Sequence, residues 1–211
     1  MAAAGRDTVA RLNCEQRLGW MTVEAEHVEP EILVETVDRE GHPIGSLEKL
    51  AAHTKPGTLH RAFSLFAFDS DDRLVLQQRS ADKYHSPLLW TNTACGHPFP
   101  GETPADAVRR RAHDELGVEL ADLVEVGTVY YQVDDHTSGL VEHEFNHVFT
   151  ARIESAPVPT PHEVADVQFV DAEALAALRT ETPLTAWFDD VYGAIAPTLA
   201  ENYPGFGATR P

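Results

Sequence analysis

The sequence predicts an α+β sandwich formed by a single domain. Alternating apolar and polar residues, the pattern of half-buried strands, recur along the chain between a few helical patterns. The 211 residues are enough for one domain with a sizeable core, and neither a repeat nor a long linker divides them. We therefore expect a main domain over residues 31–200, an N-terminal extension over 1–30 and a C-terminal tail over 201–211.

The first part of this domain contains three strand patterns and a short helix. Residues 32–38 alternate like a strand, and residues 39–46, with two glycines and a proline, predict a turn. We expect a short helix over 46–53. Residues 61–69 and 73–79 predict two strands around the polar turn SDD.

A longer helix with recognisable ends follows. Thr103 can cap its N-terminus, Pro104 suits its first turn, and Asp106 occupies the acidic position of a capping box. Gly117 can end the helix in a left-handed conformation. The predicted apolar stripe consists of Ala105, Val108, Ala112 and Leu116.

The last part of the domain predicts three strands and two helices, with polar loops between them. The strands cover residues 124–133, 142–153 and 164–170, the loops cover 134–139 and 157–163, and the helices cover 171–180 and about 184–199.

The longer helix carries the spacing of a Nudix box: Gly, five residues, Glu, seven residues, Arg-Glu, an apolar residue, any residue, Glu-Glu, any residue, Gly. Asp114 replaces the first Glu of the pair, and Arg111 stands where a hydrolase has a Glu. Without the motif, an amphipathic helix with a solvated charged face would explain the run of arginines. The residues in register are Gly96, Glu102, Arg110, Ala112, Glu115 and Gly117.

The arginine at position 111 changes the predicted chemistry from diphosphate cleavage to diphosphate binding. Positions 111 and 115 are four residues apart and share one helix face. In a hydrolase this face carries carboxylates that gather magnesium and activate water. Arginine cannot bind a metal, but its planar guanidinium binds phosphate oxygens well.

The chain is similar to the type I isopentenyl-diphosphate delta-isomerases, Nudix-fold enzymes of isoprenoid synthesis. The resemblance runs through about residues 31–190, and TACGHP before the helix and EHE after it are its most specific motifs. It implies an α/β/α Nudix sandwich and interconversion of isopentenyl and dimethylallyl diphosphate. The matching segments are 45–54, 59–64, 78–84, 90–98 and 139–149.

The resemblance also implies the residues that move protons. Cys95 and Glu144 match the two essential residues of the family, and Tyr131, or alternatively Tyr130, matches a helper tyrosine. We expect Glu144 and the tyrosine to form the proton-donating side and Cys95 to exchange a proton on the opposite face; the reverse assignment is open. Trp187 matches an aromatic residue that stabilises a carbocation, with core packing as the alternative.

Metal binding is implied at two places. A mixed shell of nitrogen and oxygen suits Mn²⁺, Mg²⁺ or Zn²⁺, and Glu115 is expected to hold a Mg²⁺ that arrives with the diphosphate. Two carboxylates two residues apart on a strand share one face, so the intervening His143 points away. The residues that match the family's ligands are His53, His60, His97, Glu142 and Glu144.

Charge is the second unusual feature of the chain. The net charge is −18, with 34 acidic against 16 basic residues, which disfavours binding to nucleic acid and to anionic membranes. Such a charge is typical of proteins from salt-adapted microbes, with an ordinary acidic bacterial protein as the alternative. The cations that bind a diphosphate must therefore be concentrated where its phosphates lie. Lys55, by contrast, is expected to be a surface residue. The residues that match the family's diphosphate-binding cations are Lys49, Arg79, Lys83 and Arg111.

The remaining features favour a cytoplasmic enzyme. The chain has no run of about twenty apolar residues and no signal-peptide pattern at its start, so we expect no membrane insertion. Its two cysteines, Cys14 and Cys95, are too few for a disulfide framework.

Two other functions compete with the isomerase. A Nudix hydrolase of a nucleoside diphosphate derivative would release phosphate, but such an enzyme has no need of Cys95 or of the EHE motif. An inactive Nudix domain could bind an isoprenoid diphosphate or act as an interaction module, but the retained cysteine, glutamates and histidines argue against loss of activity.

Overall fold

A mixed β-sheet with helices on both faces organises residues 32–207, the part of the chain that the computed structural model describes. The N-terminal extension expected over residues 1–30, and Cys14 within it, lie outside the described residues. The elements are β1 (Leu33–Val37), β2 (Pro43–Glu48), α1 (Lys49–His53), β3 (His60–Phe68), β4 (Leu74–Arg79), β5 (Trp90–Thr91), β6 (Ala94–Gly96), α2 (Pro104–Leu116), β7 (Leu120–Asp134), β8 (Val141–Ile153), β9 (Val164–Val170), α3 (Ala172–Glu181), α4 (Phe188–Asn202) and α5 (Pro204–Gly207).

Strand β3 lies at the centre of the sheet and connects its parts. It runs parallel to β8, with the register extending from His60 opposite Glu144 to Phe68 opposite Arg152. It also pairs with β6, where Ser64 lies opposite Cys95. Strand β8 continues the sheet to β7, while β4 pairs with β5 and β9, and β1 pairs with β2. The pairing of β3 therefore brings residues from distant motifs to neighbouring positions.

The side chains of β3 alternate between two hydrophobic clusters. Phe63 and Leu65 point to the face covered by α2, and Phe66 and Phe68 point to the opposite face, which α3, α4 and α5 cover. All four side chains are fully buried. A strand buried on both faces between helices gives the α/β/α sandwich, and the predicted fold class is confirmed.

Helix α2 has the predicted ends. The hydroxyl of Thr103 accepts a hydrogen bond from the backbone N–H of Asp106, and Pro104 is the first helical residue. Gly117 ends the helix with φ +63°, a left-handed conformation in which glycine is favoured. Val108 and Leu116 of the predicted stripe are fully buried.

One element prediction is wrong. Residues 39–46 form a turn only at their start, and Pro43–Glu48 is a strand that pairs with β1. The short helix consequently begins at Lys49 rather than at Ser46. The strand lacks the expected alternation because it is mostly exposed on both sides, and its proline and glycine resemble a turn. The other predicted strands and helices are present, with ends that shift by a few residues.

Candidate active site

Four side chains converge at one end of β3. His53 ends α1, His60 begins β3, His97 follows β6, and Glu144 lies in β8. His60 and Glu144 are neighbours because β3 and β8 pair in register, and His97 comes close because β6 pairs with β3. One ligand atom from each of the four side chains lies within 4.8 Å of the others, which is the spacing of a metal site.

The backbone fixes which nitrogen of two histidines faces the cluster. Nδ1 of His53 lies 2.7 Å from the carbonyl oxygen of Lys49, and Nδ1 of His60 lies 2.7 Å from that of Thr58. A carbonyl only accepts, so each Nδ1 carries the proton and donates it. In a neutral ring each Nε2 then offers a lone pair to the cluster, as in metal-binding histidines.

The surrounding groups can satisfy only some of these lone pairs, because a single proton on Nε2 of His97 could serve either His60 or Glu144 but not both. Nε2 of His60 lies 3.1 Å from Nε2 of His97, which itself lies 3.1 Å from Oε1 of Glu144. Nε2 of His53 is buried, forms no aligned hydrogen bond and lies 3.1 Å from Oε2 of Glu142. Lone pairs and carboxylate oxygens at this distance repel one another unless a proton or a metal ion lies between them. The donor set therefore fits a divalent metal ion.

The pKa shifts of His60 and His97 agree with this description. Burial, then the neighbouring charge of His97, lowers the pKa of His60 to about 3, and burial lowers the pKa of His97 well below its ordinary value. Both rings are thus neutral at physiological pH, the form that binds metals. Although burial alone would lower the pKa of His53, the hydrogen bond and the charge of Glu142 raise it. Burial raises the pKa of Glu142, while His53 opposes that shift.

Glu144 is also part of a buried hydrogen-bond network. The hydroxyl of Tyr131, which lies opposite Glu144 on β7, donates to its Oε2. The side-chain amide of Asn146 donates to the same oxygen over 3.0 Å and to the Tyr131 hydroxyl over 3.2 Å. Burial and the charges of Glu144 and Glu142 raise the pKa of Tyr131 well above its ordinary value. Tyr131 therefore remains protonated and can donate.

Cys95 lies on β6, two residues before His97. Its side chain is partly buried and packs against the hydrophobic cluster that contains Tyr131, Trp187 and Phe66. Burial raises the pKa of the Cys95 thiol to about 12, and Arg79 opposes this shift. The resting thiol is therefore protonated at neutral pH.

Arg111 and Lys83 share carboxylate partners. Arg111 Nη2 donates to Glu115 and, over 2.8 Å, to Oε2 of Glu163, and Lys83 donates to the same oxygen of Glu163. The amide of Gln77 donates to the other oxygen of Glu115 over 2.8 Å. Although burial alone would lower the pKa of Arg111, the two carboxylates raise it. Glu115 lies outside the group of four side chains that could hold a metal ion.

Lys49 and Arg79 have no carboxylate partner among residues 32–207. The ammonium of Lys49 lies 5.4 Å from the centre of the Tyr84 ring, and the guanidinium of Arg79 lies 5.6 Å from that of Trp187. Burial lowers the pKa of Lys49, and the charges of Lys83, Arg79 and Arg111 lower it further. Lys49 is therefore close enough to the other three predicted cations to be repelled by them, an arrangement that favours binding of a polyanion.

The sequence matches known proteins over most of its length. Residues 58–191 match the NUDIX domain family. The isopentenyl-diphosphate Delta-isomerase of Streptomyces griseus is 52% identical over 170 residues, which cover 81% of this chain and 86% of that enzyme. The chain belongs to this isomerase family. An isopentenyl-diphosphate Delta-isomerase of Aromatoleum aromaticum is 48% identical over 147 residues, covering 70% of this chain and 81% of the relative.

A solved structure supports the Nudix fold of this isomerase family member. DR0079 from Deinococcus radiodurans superposes with a TM-score of 0.60 at 19% identity, covering 81% of this chain and 99% of that protein. None of the helices in residues 32–207 is long and apolar enough to span a membrane.

Three residues point away from the histidine cluster: His143 and Lys55, as the sequence predicts, and Tyr130, which the sequence left as the alternative to Tyr131. His143 contacts the carbonyl oxygen of Gly57 and the hydroxyl of Tyr130, away from the metal cluster. Tyr130 is 42% exposed, whereas Tyr131 is 6% exposed and contacts Glu144. Lys55 pairs with Asp134 on the surface. The geometry thus places Tyr131, and not Tyr130, next to Glu144.

Trp187 lies between the site and the core. It is 3% exposed, its indole N–H points to Oδ1 of Asn92 at 3.4 Å, and it precedes α4. Its ring also lies 6.2 Å from that of His85. Trp187 therefore packs as a core residue and contacts the site at the same time.

Sequence analysis missed three residues of this isomerase site: His85, Asn146 and Glu163. His85 approaches Glu142 and Arg79, Asn146 contacts Glu144, and Glu163 joins Lys83 to Arg111. The even spacing of positions 142, 144 and 146 on one strand is a signal that points to Asn146. His85 and Glu163 lie outside regular elements, where periodicity gives no signal.

Proposed function

We propose that this protein interconverts isopentenyl diphosphate and dimethylallyl diphosphate at the site around Glu144, Tyr131 and Cys95. The two compounds differ in the position of one double bond. The forward reaction adds a proton to the terminal methylene carbon, forms a tertiary carbocation, and removes a proton from the carbon on the other side of it. An acid, a base and exclusion of water are the minimum requirements for this chemistry.

The observation that carries the proposal is the buried contact of Tyr131 with Glu144 inside the histidine cluster. A carboxylate that is 6% exposed, receives a tyrosine hydroxyl and an asparagine amide, and lies 3.1 Å from His97 is held in one position. A fixed proton carrier of this kind is what protonation of an unactivated alkene requires.

In this proposal Glu144 and Tyr131 deliver the proton and Cys95 takes one up. The Cys95 thiol is protonated at rest, so its proton must first move to the Glu144 carboxylate. Glu144, with Tyr131, then protonates the alkene to give the cation, and the Cys95 thiolate accepts the neighbouring C–H proton, which restores a double bond together with the resting thiol and carboxylate. The number of protons in the site is unchanged over the cycle. Trp187 and Tyr131 pack with Cys95 in one hydrophobic cluster, which excludes water that would trap the cation, and the indole π face stabilises positive charge.

Metal binding is proposed at His53, His60, His97, Glu142 and Glu144. The unsatisfied lone pairs and the neighbouring carboxylates support a divalent ion, and the mixed donor set accommodates Mn²⁺, Mg²⁺ or Zn²⁺. When bound, such an ion supplies positive charge that holds the Glu144 carboxylate in place and increases its acidity. Glu115 is proposed to contribute to a Mg²⁺ that accompanies the diphosphate.

The diphosphate is proposed to bind to Lys49, Arg79, Lys83 and Arg111. The repulsion of Lys49 by the other three cations and the lack of carboxylate partners for Lys49 and Arg79 within the described part of the chain support this role. Against a general excess of acidic residues, such a cluster of cations gives the anionic diphosphate end of the substrate one favourable place to bind. We further propose that the enzyme works in the cytoplasm of a salt-adapted cell and binds no nucleic acid.

A Nudix hydrolase of nucleoside diphosphate derivatives is the alternative. Arg111 argues against it, since this arginine forms ion pairs with Glu115 and Glu163 where a hydrolase needs another carboxylate.

Incubation of the purified protein with isopentenyl diphosphate tests the proposal, with dimethylallyl diphosphate detected by chromatography. We expect conversion to equilibrium in the wild-type protein, and a loss of at least about 10²-fold in folded Cys95→Ala and Glu144→Gln variants. In D₂O, deuterium should enter the new methyl group. Phosphate release without isomerisation would instead support the hydrolase.

A further inference from the structure

Arg79 is a buried cation without an anionic partner. The residue is only 6% exposed, and no carboxylate of residues 32–207 pairs with it. A buried charge is costly unless hydrogen bonds or an opposite charge compensate it. The hydrogen bonds that compensate this charge therefore indicate how the guanidinium of Arg79 is held in position for a ligand.

The hydrogen bonds of Arg79 come from two consecutive residues. Its Nε donates to the carbonyl oxygen of Ser86 over 3.2 Å, and its Nη2 donates to the carbonyl oxygen of His85 over 3.1 Å. Nη2 also lies 3.2 Å from Nε2 of the His85 ring. Within the described residues nothing accepts from Nη1, so one side of the guanidinium stays available to an anion.

The contact with Arg79 determines the tautomer of His85. A guanidinium only donates, so Nε2 of His85 is the acceptor and Nδ1 carries the ring proton. Nδ1 is buried and has no hydrogen-bond partner in the part of the chain that the structure describes. The same Nε2 lies 3.5 Å from Oε1 of Glu142. His85 therefore lies between the guanidinium and the carboxylates of the metal cluster.

A separate loop holds the backbone of this segment. The N–H of Ser86, a residue with φ +47°, lies 3.0 Å from Oδ2 of Asp135 and 2.9 Å from the hydroxyl oxygen of Thr137. Asp135 is 1% exposed and also accepts from the hydroxyls of Thr137 and Ser138. The His85 ring and carbonyl are thus fixed relative to the sheet and do not belong to a freely moving loop.

We propose that His85 is a positioning residue of the isomerase, which fixes the guanidinium of Arg79 for the substrate diphosphate through its Nε2 atom. This inference rests on the proposed function, because it takes Arg79 as a diphosphate-binding group. Loss of the ring acceptor frees one Nη2 proton and lets the guanidinium rotate away from the diphosphate. The effect is on substrate binding, and the proton-transfer residues are unaffected.

The test compares His85→Leu and His85→Gln in the metal-loaded enzyme. Leucine removes the acceptor, whereas the side-chain oxygen of glutamine reaches the position of Nε2 and accepts from Arg79. We expect His85→Leu to raise KM for isopentenyl diphosphate and Kd for Mg²⁺–inorganic diphosphate about tenfold, as for loss of one hydrogen bond to a charged group. The value of kcat and the metal content should change little, and His85→Gln should recover most of the affinity.

A double-mutant cycle with Arg79→Gln separates this inference from the proposed function. If His85 acts through Arg79, adding His85→Leu to Arg79→Gln should cause no further loss of diphosphate affinity. His162→Leu, a change of the same kind at an exposed histidine, is the matched control. Unchanged diphosphate affinity in His85→Leu, a glutamine variant as weak as the leucine variant, or additive effects in the cycle would overturn the inference. If Arg79→Gln itself binds diphosphate normally, the assignment of Arg79 in the proposed function fails instead.

Discussion

Tyr131 donates its hydroxyl hydrogen to Oε2 of Glu144 across the β7–β8 pair, where the two residues lie directly opposite each other. The adjacent Tyr130 points to the other face and contacts His143. Neighbouring tyrosines on one strand thus have different environments because side chains alternate along a strand. One is buried with the proposed proton carrier, and the other is on the surface.

The first prediction compares these two tyrosines. Tyr131→Phe should lower kcat by about 10²-fold, because it removes a hydrogen bond to Glu144 and a proposed proton donor. Tyr130→Phe should retain nearly wild-type kcat. Steady-state assays of both variants, with circular dichroism to verify folding, measure the difference. Equal activities of the two variants would remove Tyr131 from the mechanism.

The second prediction concerns metal content. Chelation should abolish activity, and a divalent ion should restore it. His53→Ala should lower the bound metal measured by elemental analysis after dialysis, because its Nε2 is directed at the cluster with Glu142. His143→Ala is the matched control and should keep its metal, since its ring contacts Gly57 and Tyr130. Full activity in metal-free protein would refute the site.

The third prediction concerns Arg111. Arg111→Glu should raise KM for the substrate more than tenfold, because a cation becomes an anion next to Glu115 and Glu163. Arg109→Glu, a charge reversal at an exposed position of the same helix, should leave KM close to the wild-type value. No hydrolysis of the diphosphate is expected, since activation of water requires more than added carboxylates. Similar KM values for both variants would make Arg111 a structural residue only.

The parts of this site that the sequence predicts are those that carry short motifs. Cys95 and His97 lie in TACGHP, and Glu142 and Glu144 lie in EHE, and the resemblance of these motifs to the isomerase family implies their chemistry. His85 carries no such signal. It reaches Arg79 because the chain turns back at Ser86 and Leu88, both with positive φ, and no periodic pattern reports that turn.

Long-range pairing explains the other omissions. Glu163 contacts Lys83 and Arg111, which are 80 and 52 residues away in sequence, through the pairing of β9 with β4. The hydrophobic pattern of a single sequence indicates local secondary structure, but it does not indicate the register between distant strands. Strand Pro43–Glu48 was missed because it has little buried surface that would impose an alternation of apolar and polar residues.

The fourth prediction concerns pH and Asp135. Burial alone would raise the pKa of Asp135, but hydrogen bonds from Thr137, Ser138 and the Ser86 N–H outweigh burial and lower it. A lowered pKa in the folded state stabilises the fold above the unfolded value of about 3.9, and this stability is lost as pH falls through the lower folded value.

Asp135→Asn should therefore cost about 1–3 kcal/mol of unfolding free energy at pH 7, from weakened hydrogen bonds to a charged group. The difference from the wild-type protein should shrink as pH falls from about 5 to 3. Urea unfolding at several pH values measures this difference in unfolding free energy. Asp134→Asn, at the exposed neighbouring position, is the control and should show a small effect at every pH. A difference that stays constant or grows at low pH would contradict the assigned role of the Asp135 carboxylate.

The last prediction concerns salt. With 34 acidic and 16 basic residues, the chain carries a net charge of −18 and should repel itself in dilute buffer. The Debye length is about 30 Å at 0.01 M salt and about 3 Å at 1 M, so molar salt screens repulsion across the domain. Salt also weakens exposed ion pairs such as Lys55–Asp134, but such pairs contribute only about 0–1 kcal/mol each. The repulsion should dominate, and the melting temperature should rise between dilute buffer and 1 M potassium chloride. Differential scanning calorimetry measures this change at fixed pH and metal concentration. A flat or falling melting temperature would end the salt-adapted interpretation, while the isomerase proposal, which rests on the site residues, would be unaffected.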